Sequence, residues 1–283
     1  MNVLKVASSI FVALSCAVLV ACEDVPWHID PLAINSRDGG SSPLDYPTLM
    51  RIGAAARAGG DLSNALQLYR RAASLQTDAA APFVAIGNTL IEMGQINEAI
   101  IAYNSALDRQ ARDPEALRGI AKAYLKTARP ELAGKPLAIA FEDTPNDPKL
   151  LQLIGVADDL MGQHGEAQAR YRRGLELAPG DPVLSLNLAL SLALTGNYDE
   201  AIARLGPIAA APISSPRERQ TLALIYGLKG DRQRAEQLGL LDLDPAAVQH
   251  NLAYYETLRR LSPEARSQAV RSLGTNTAAP NSS

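Results

Sequence analysis

Residues 148–181 read PKLLQLIGVADDLMGQHGEAQARYRRGLELAPGD, and this stretch decides the fold. Numbered 1 to 34 from Pro148, it has Ile154 at position 7, Gly155 at 8, Gly162 at 15, Ala167 at 20, Tyr171 at 24 and Pro179 at 32. The same slots recur in units starting at Tyr46, Ala80, Pro114, Pro182 and Pro216. Position 20 is alanine in all six units: Ala65, Ala99, Ala133, Ala167, Ala201 and Ala235. A small side chain there lets two helix axes approach closely. Position 15 is Gly60, Gly94, Gly162, Gly196 and Gly230, with Ala128 in the third unit. It falls between two helical segments, where a left-handed residue ends the first helix and glycine takes that conformation without a Cβ penalty.

The other slots interlock. Position 7 holds Ile52, Ile86, Ile120, Ile154, Leu188 and Leu222; position 8 holds Gly53, Gly87, Ala121, Gly155, Ala189 and Ala223. Position 24 holds Tyr69, Tyr103, Leu137, Tyr171, Leu205 and Gly239. A single helix–turn–helix unit cannot bury this stripe, so the stack is the folding unit. The pattern resembles the tetratricopeptide repeat (TPR) family over residues 46–249. It predicts an all-α fold, a right-handed TPR superhelix (α-solenoid) of about six repeats with C-terminal capping helices. Six in-phase units without insertion or deletion set it apart from a generic alanine-rich bundle.

Composition agrees. The chain has 283 residues, 47% hydrophobic and 5% aromatic, enough for an alanine-packed core. A net charge of −3 argues against a nucleic-acid partner. Both cysteines, Cys16 and Cys22, precede the repeats, so the array has no disulfide and no cysteine-based metal site.

Before Glu23 the only charge is Lys5, and Val6 to Ala21 form an apolar run of signal-peptide length. The run ends in Leu19-Val20-Ala21-Cys22, which resembles the bacterial lipobox. The resemblance implies cleavage after residue 21 and acylation of Cys22. Two or more acyl chains anchor firmly, each buried CH₂ contributing about 0.8 kcal/mol. Residues 22–45, with Pro26, Pro31, Gly39-Gly40-Ser41-Ser42 and Pro43, read as a flexible tether. Glu23 after the cysteine favours the outer membrane, facing the periplasm.

Three features break the period. Unit three has Pro136 inside its second helix, which predicts a bent or shortened helix near 131–141. Unit five is expected to end its second helix early at Gly206-Pro207. After the array, residues 250–273 are read as capping helices, with Pro245 to Leu261 as one helix and Ser262-Pro263 starting a last short one to about Leu273. Residues 274–283 read as a disordered tail.

No catalytic constellation is apparent, and neither a metal site nor a cofactor is expected. His28, His164 and His250 share no helix face, and no P-loop, H-E-x-x-H, G-x-S-x-G or G-x-G-x-x-G occurs. The chain is not read as an enzyme.

The TPR resemblance places positions 2, 5, 9, 12 and 13 on a concave surface. Those positions put Arg118, Lys122 and Lys126 in unit three, and Gln152 and Asp159 in unit four. They put Leu186, Leu190 and Leu194 in unit five, and Leu224 and Leu228 in unit six. A groove graded from basic to leucine-rich suits an amphipathic protein segment with some acidic residues.

The ending is more specific. Asp242-Leu243-Asp244-Pro245, Ala247-Val248, Asn251-Leu252-Ala253 and Tyr254 to Arg260 resemble the C-terminal signature of TadD-type lipoproteins of the tight-adherence (Tad, or Flp) pilus system. That resemblance implies an outer-membrane assembly factor, pilotin-like, for the pilus secretin. The partner is then a secretin or another pilus-assembly component, with the bilayer held through acylated Cys22. The alternatives are a TPR lipoprotein of outer-membrane protein assembly and an activator of periplasmic peptidoglycan enzymes.

Overall fold

In the computed structural model, residues 44–276 are described. The signal segment 1–21, Cys22, nearly all of the tether and the last residues of the tail lie outside them. The described residues form fourteen α-helices and no strand, in two compact units, 44–123 and 124–276.

The first unit contains α1 (Tyr46–Ala58), α2 (Leu62–Leu75), α3 (Ala81–Glu92), α4 (Ile96–Arg109) and α5 (Pro114–Lys126) up to Ala123. The second contains α6 (Pro130–Asp143), α7 (Pro148–Leu160), α8 (His164–Leu177), α9 (Pro182–Leu194), α10 (Tyr198–Ala209), α11 (Pro216–Lys229), α12 (Arg232–Gly239), α13 (Pro245–Arg259) and α14 (Pro263–Asn276). Within each unit, consecutive helices pack as antiparallel neighbours: α1 on α2 and α3 on α4 in the first, α7 on α8 and α9 on α10 in the second.

The repeat starts are capped by sequence. Asp147 and Asp181 accept the backbone N–H groups of Lys149 (2.9 Å) and Val183 (2.8 Å), with proline at the first helical position. Asp113 does the same for Ala116 at 2.8 Å. An aspartate N-cap typically contributes about 1 kcal/mol, and proline's missing N–H is harmless at that position.

The period explains the core. The six position-20 alanines are at most 1% exposed. The position-8 glycines are there because the position-24 tyrosines need the space. A Cβ at Gly53, Gly87 or Gly155 would lie 2.7, 2.6 or 2.5 Å from the ring of Tyr69, Tyr103 or Tyr171. At the turns, Gly60, Gly94, Gly162, Gly196 and Gly230 all have positive φ, between 75° and 95°. Ala128 in the same slot is also left-handed, at φ 52°. The position dictates the conformation, and alanine bears the strain. Ala128→Gly is therefore expected to stabilise the protein by about 1 kcal/mol, the left-handed penalty of a Cβ less glycine's greater unfolded-state entropy. An unchanged or lowered midpoint in urea unfolding would contradict it.

Several expectations are corrected. Helix α6 is not shortened: it spans 14 residues with Pro136 inside and buried. Proline at 136 lacks the N–H that would serve the carbonyl of Leu132, a residue that is itself 48% exposed. Helix α10 likewise runs through Gly206 and Pro207 to Ala209. The array ends before residue 249, because α13 already begins at Pro245, and α14 extends past 273 to Asn276.

The junction after α12 is polar. Arg219 of α11 pairs with Asp242 through two nitrogens, Nε donating to Oδ2 at 2.9 Å, and Gln220 Nε2 donates to the same oxygen at 3.1 Å. These bonds hold the Asp242 carboxyl below the ordinary carboxylate range. Asp244 caps α13 by accepting from Ala247 N at 2.9 Å, ahead of Pro245. The Asp-Leu-Asp-Pro run is thus a joint that turns the chain from the last repeat into α13.

Candidate functional site

In the first unit, α1, α3 and the start of α5 enclose a cleft of about 390 Å³. Met50, Val84 and Tyr69 give it apolar wall, and Arg57, Asn88, Asp113 and Glu115 give it polar groups. Met50 and Val84 are position 5 of their units, Asn88 is position 9 and Arg57 is position 12, so the helical spacing aligns them. Asn88 is held in place. The Tyr103 hydroxyl donates to its Oδ1 at 2.7 Å, which fixes the orientation of the amide. Burial drives the Tyr103 phenol well above its ordinary range, so it stays a donor. Arg57 and Glu92 sit 3.8 Å apart, both partly exposed, a pairing of little energetic weight.

Arg118 and Lys122 follow Glu115 along α5 and are half-buried, whereas Lys126 is exposed. They lie beyond the lining of the cleft. Met50 and Val84 share position 5 with Arg118, and Asn88 shares position 9 with Lys122, whereas Arg57 is at position 12 and Lys126 at position 13. Carrying positions 5, 9 and 12 back to units one and two finds Met50, Arg57, Val84 and Asn88.

The second unit does not offer the leucine groove expected from position alone. Leu186 is 1% exposed, Leu194 7%, Leu224 2% and Leu228 1%; Leu190 and Gln152 are half-buried. Helix α9 packs against α11 and α14, and α11 packs against α13, so these leucines fill the space between first helices and caps. They are core rather than a docking strip.

Asp159 is also not a free groove carboxylate. Its Oδ1 accepts from His164 Nδ1 and from Ser191 Oγ, each at 2.7 Å, and its Oδ2 accepts from the Tyr171 hydroxyl at 2.9 Å. Tyr171 is 1% exposed and Ser191 0%, and burial holds the Tyr171 phenol protonated. The other ring nitrogen of His164, Nε2, lies 2.7 Å from Ser267 Oγ in a hydrogen bond. Asp159, His164 and Ser267 thus stand in the bonding order of a hydrolase triad. Ser267, however, is 2% exposed on a docked helix, so a substrate carbonyl has no approach to its oxygen. The chain of bonds ties α14 to the start of α8.

A second cleft, of about 680 Å³, lies on α8, α9 and α10 with Arg172, Leu175, Glu176, Ser185, Glu200 and Arg204 in its lining. It is larger but balanced in charge, and Arg172 already donates to both Glu200 oxygens at 3.0 and 3.2 Å. The smaller cleft sets an oriented amide between apolar walls. Among the described residues no group of acidic, histidine or cysteine side chains is placed to hold a metal ion, and no helix is long and apolar enough to cross a membrane.

Two family models match, both described as tetratricopeptide repeat, over residues 84–148 and 160–212. Protein y4yS of Sinorhizobium fredii is 31% identical over 99 residues, 35% of this chain and 54% of that protein. Cellulose synthase operon protein C of Xanthomonas axonopodis pv. citri is 29% identical over 206 residues, 68% of this chain but 13% of that protein. The chain therefore spans about half of the first relative and a small part of the second.

Among solved structures, a tetratricopeptide repeat protein from Parabacteroides merdae matches with a TM-score of 0.63 at 18% identity, covering 76% of this chain and 86% of that one. The pilF protein of Pseudomonas aeruginosa matches with a TM-score of 0.62 at 20% identity, covering 74% and 97%. At these identities the likeness is one of fold. Twelve helices in a 34-residue phase, with repeat models matching inside them, make this chain a tetratricopeptide-repeat protein.

Proposed function

We propose that the chain is an outer-membrane-anchored scaffold that binds a protein segment on the first helices of its repeats. We further propose that it serves as a pilotin-like assembly factor for the secretin of a Tad/Flp pilus. The observation that carries the binding reading is the cleft of Met50, Arg57, Val84 and Asn88, where one amide is oriented by Tyr103 between apolar walls. An extended or helical segment suits it: apolar side chains meet Met50 and Val84, and its main chain meets the Asn88 amide. Arg118, Lys122 and Lys126 continue along α5 and favour a segment with acidic residues after its apolar part. The pilus assignment is supported by the Cys22 lipobox and by the resemblance of the Asp242–Arg260 ending. The lipid anchor and the periplasmic address belong to the same proposal.

Site-specific photocrosslinking in cells tests it. A crosslinker at Met50 is expected to capture the secretin. Arg57→Glu together with Arg118→Glu and Lys122→Glu is expected to reduce capture at least tenfold and leave secretin subunits unassembled. Capture of an outer-membrane barrel-assembly component or a peptidoglycan enzyme instead would overturn the pilus assignment. Unchanged capture in the triple variant would overturn the groove assignment.

A further inference from the structure

Helix α14 is fixed to the second unit by polar side chains. Arg266 is 5% exposed and Ser267 2%, whereas Ala265, Ala269 and Val270 are only partly covered. Arg266 pairs with no carboxylate among the described residues. Its Nε donates to Leu258 O at 3.1 Å, Nη1 to Leu194 O at 3.2 Å and Ala193 O at 3.5 Å, and Nη2 to Leu261 O at 3.3 Å. The Tyr198 ring lies 6.0 Å from its guanidinium carbon.

Ala193 and Leu194 end α9, and Leu258 lies at the end of α13. Two helix C-termini, each with partial negative charge on its last carbonyls, therefore converge on one cation, and Ala193 O and Leu258 O also accept the N–H groups of Gly196 and Leu261. Carbonyls spread around a flat fork, with a ring nearby, suit a guanidinium. An ammonium, with three donors at one point, cannot reach them all. The adjacent hydroxyl of Ser267 reaches His164 on α8, about 100° further around the helix.

We propose that the paired ends of α9 and α13, with His164 beside them, form a docking site for a helix that presents an arginine followed by a serine or threonine. Helix α14 is its resident, displaceable occupant. This rests on the reading of the chain as a scaffold for protein segments. The pins are polar, and among the described side chains of α14 the apolar ones Ala265, Ala269 and Val270 are only partly covered. A partner helix of the same chemistry takes the same place by competing with α14 in cis, whose tether to α13 gives it a high effective concentration.

The test uses the full chain and a fluorescent peptide of residues 262–276 as probe. The double variant Arg266→Ala/Ser267→Ala leaves the site vacant and is expected to bind the peptide at least tenfold more tightly than the wild type. A peptide with lysine at position 266 is expected to lose at least tenfold. Equal affinity for wild type and variant would overturn the proposal. So would absence of binding to a variant whose circular dichroism shows intact helices. Should that variant unfold, the wild type decides by hydrogen exchange. Saturating peptide is expected to speed exchange of the α14 amides at least threefold while α13 stays protected, and no change overturns the proposal. The readout involves no secretin, so its failure leaves capture through Met50 standing, and loss of capture leaves this result standing.

Discussion

Asp159→Ala is expected to lower stability by about 3–5 kcal/mol, because it leaves the Tyr171 and Ser191 hydroxyls buried without their acceptor, at about 1–3 kcal/mol each, and frees His164 as well. For a chain of this size that lowers the melting temperature by roughly 10 °C. The reasoning has an internal check. In an Asp159→Ala background, Tyr171→Phe removes one orphaned donor, so part of the loss returns, whereas in the wild type the same substitution destabilises. A double-mutant cycle by urea unfolding measures the difference. Additive losses would show that the hydrogen bond to Tyr171 has no energetic weight. Asp159→Asn keeps one acceptor oxygen and is expected to fall between the two.

Gly119→Val tests the first unit and its cleft together. A Cβ at Gly119 would lie 2.4 Å from Cε1 and Cζ of the Tyr103 ring, and Tyr103 is 1% exposed with nowhere to turn. Overpacking of this kind costs about 3 kcal/mol. Because Tyr103 also orients Asn88, capture at Met50 is expected to fall with stability. Tyr103→Leu in the same chain makes room and is expected to restore most of the stability but not the capture. Full recovery of capture would show that the Asn88 amide does not orient the partner.

How far the sequence reaches is visible in particular residues. The alanine row and the turn glycines were legible because each answers to a local rule repeated six times: a crossing that admits only a small side chain, and a turn that needs positive φ. Ala128 shows the rule at its strictest, since the conformation persists where the residue that suits it is absent. The cleft was half legible. The spacing puts Met50, Arg57, Val84 and Asn88 on one side of their helices, yet the hydroxyl that orients Asn88 comes from a tyrosine 15 residues away. Asp159 and the leucines were misplaced for one reason. Repeat position says which way a side chain points within its unit, but not what the chain later lays over it. Leu186 and Leu194 lie on α9, against which α11 and α14 pack, and for Asp159 the partners come from residues 5, 12 and 32 further along.

The sequence by itself determined the repeat, its phase, the capping aspartates and the glycine-for-tyrosine packing, because these depend on neighbours within one 34-residue unit or its copy. Only the tertiary structure decided which face stays open. It closed the leucines of the second unit beneath the terminal helices and seated Arg266 between two helix ends. It left the Met50–Asn88 cleft of the first unit uncovered, because burial depends on segments far apart in the chain that no local period encodes.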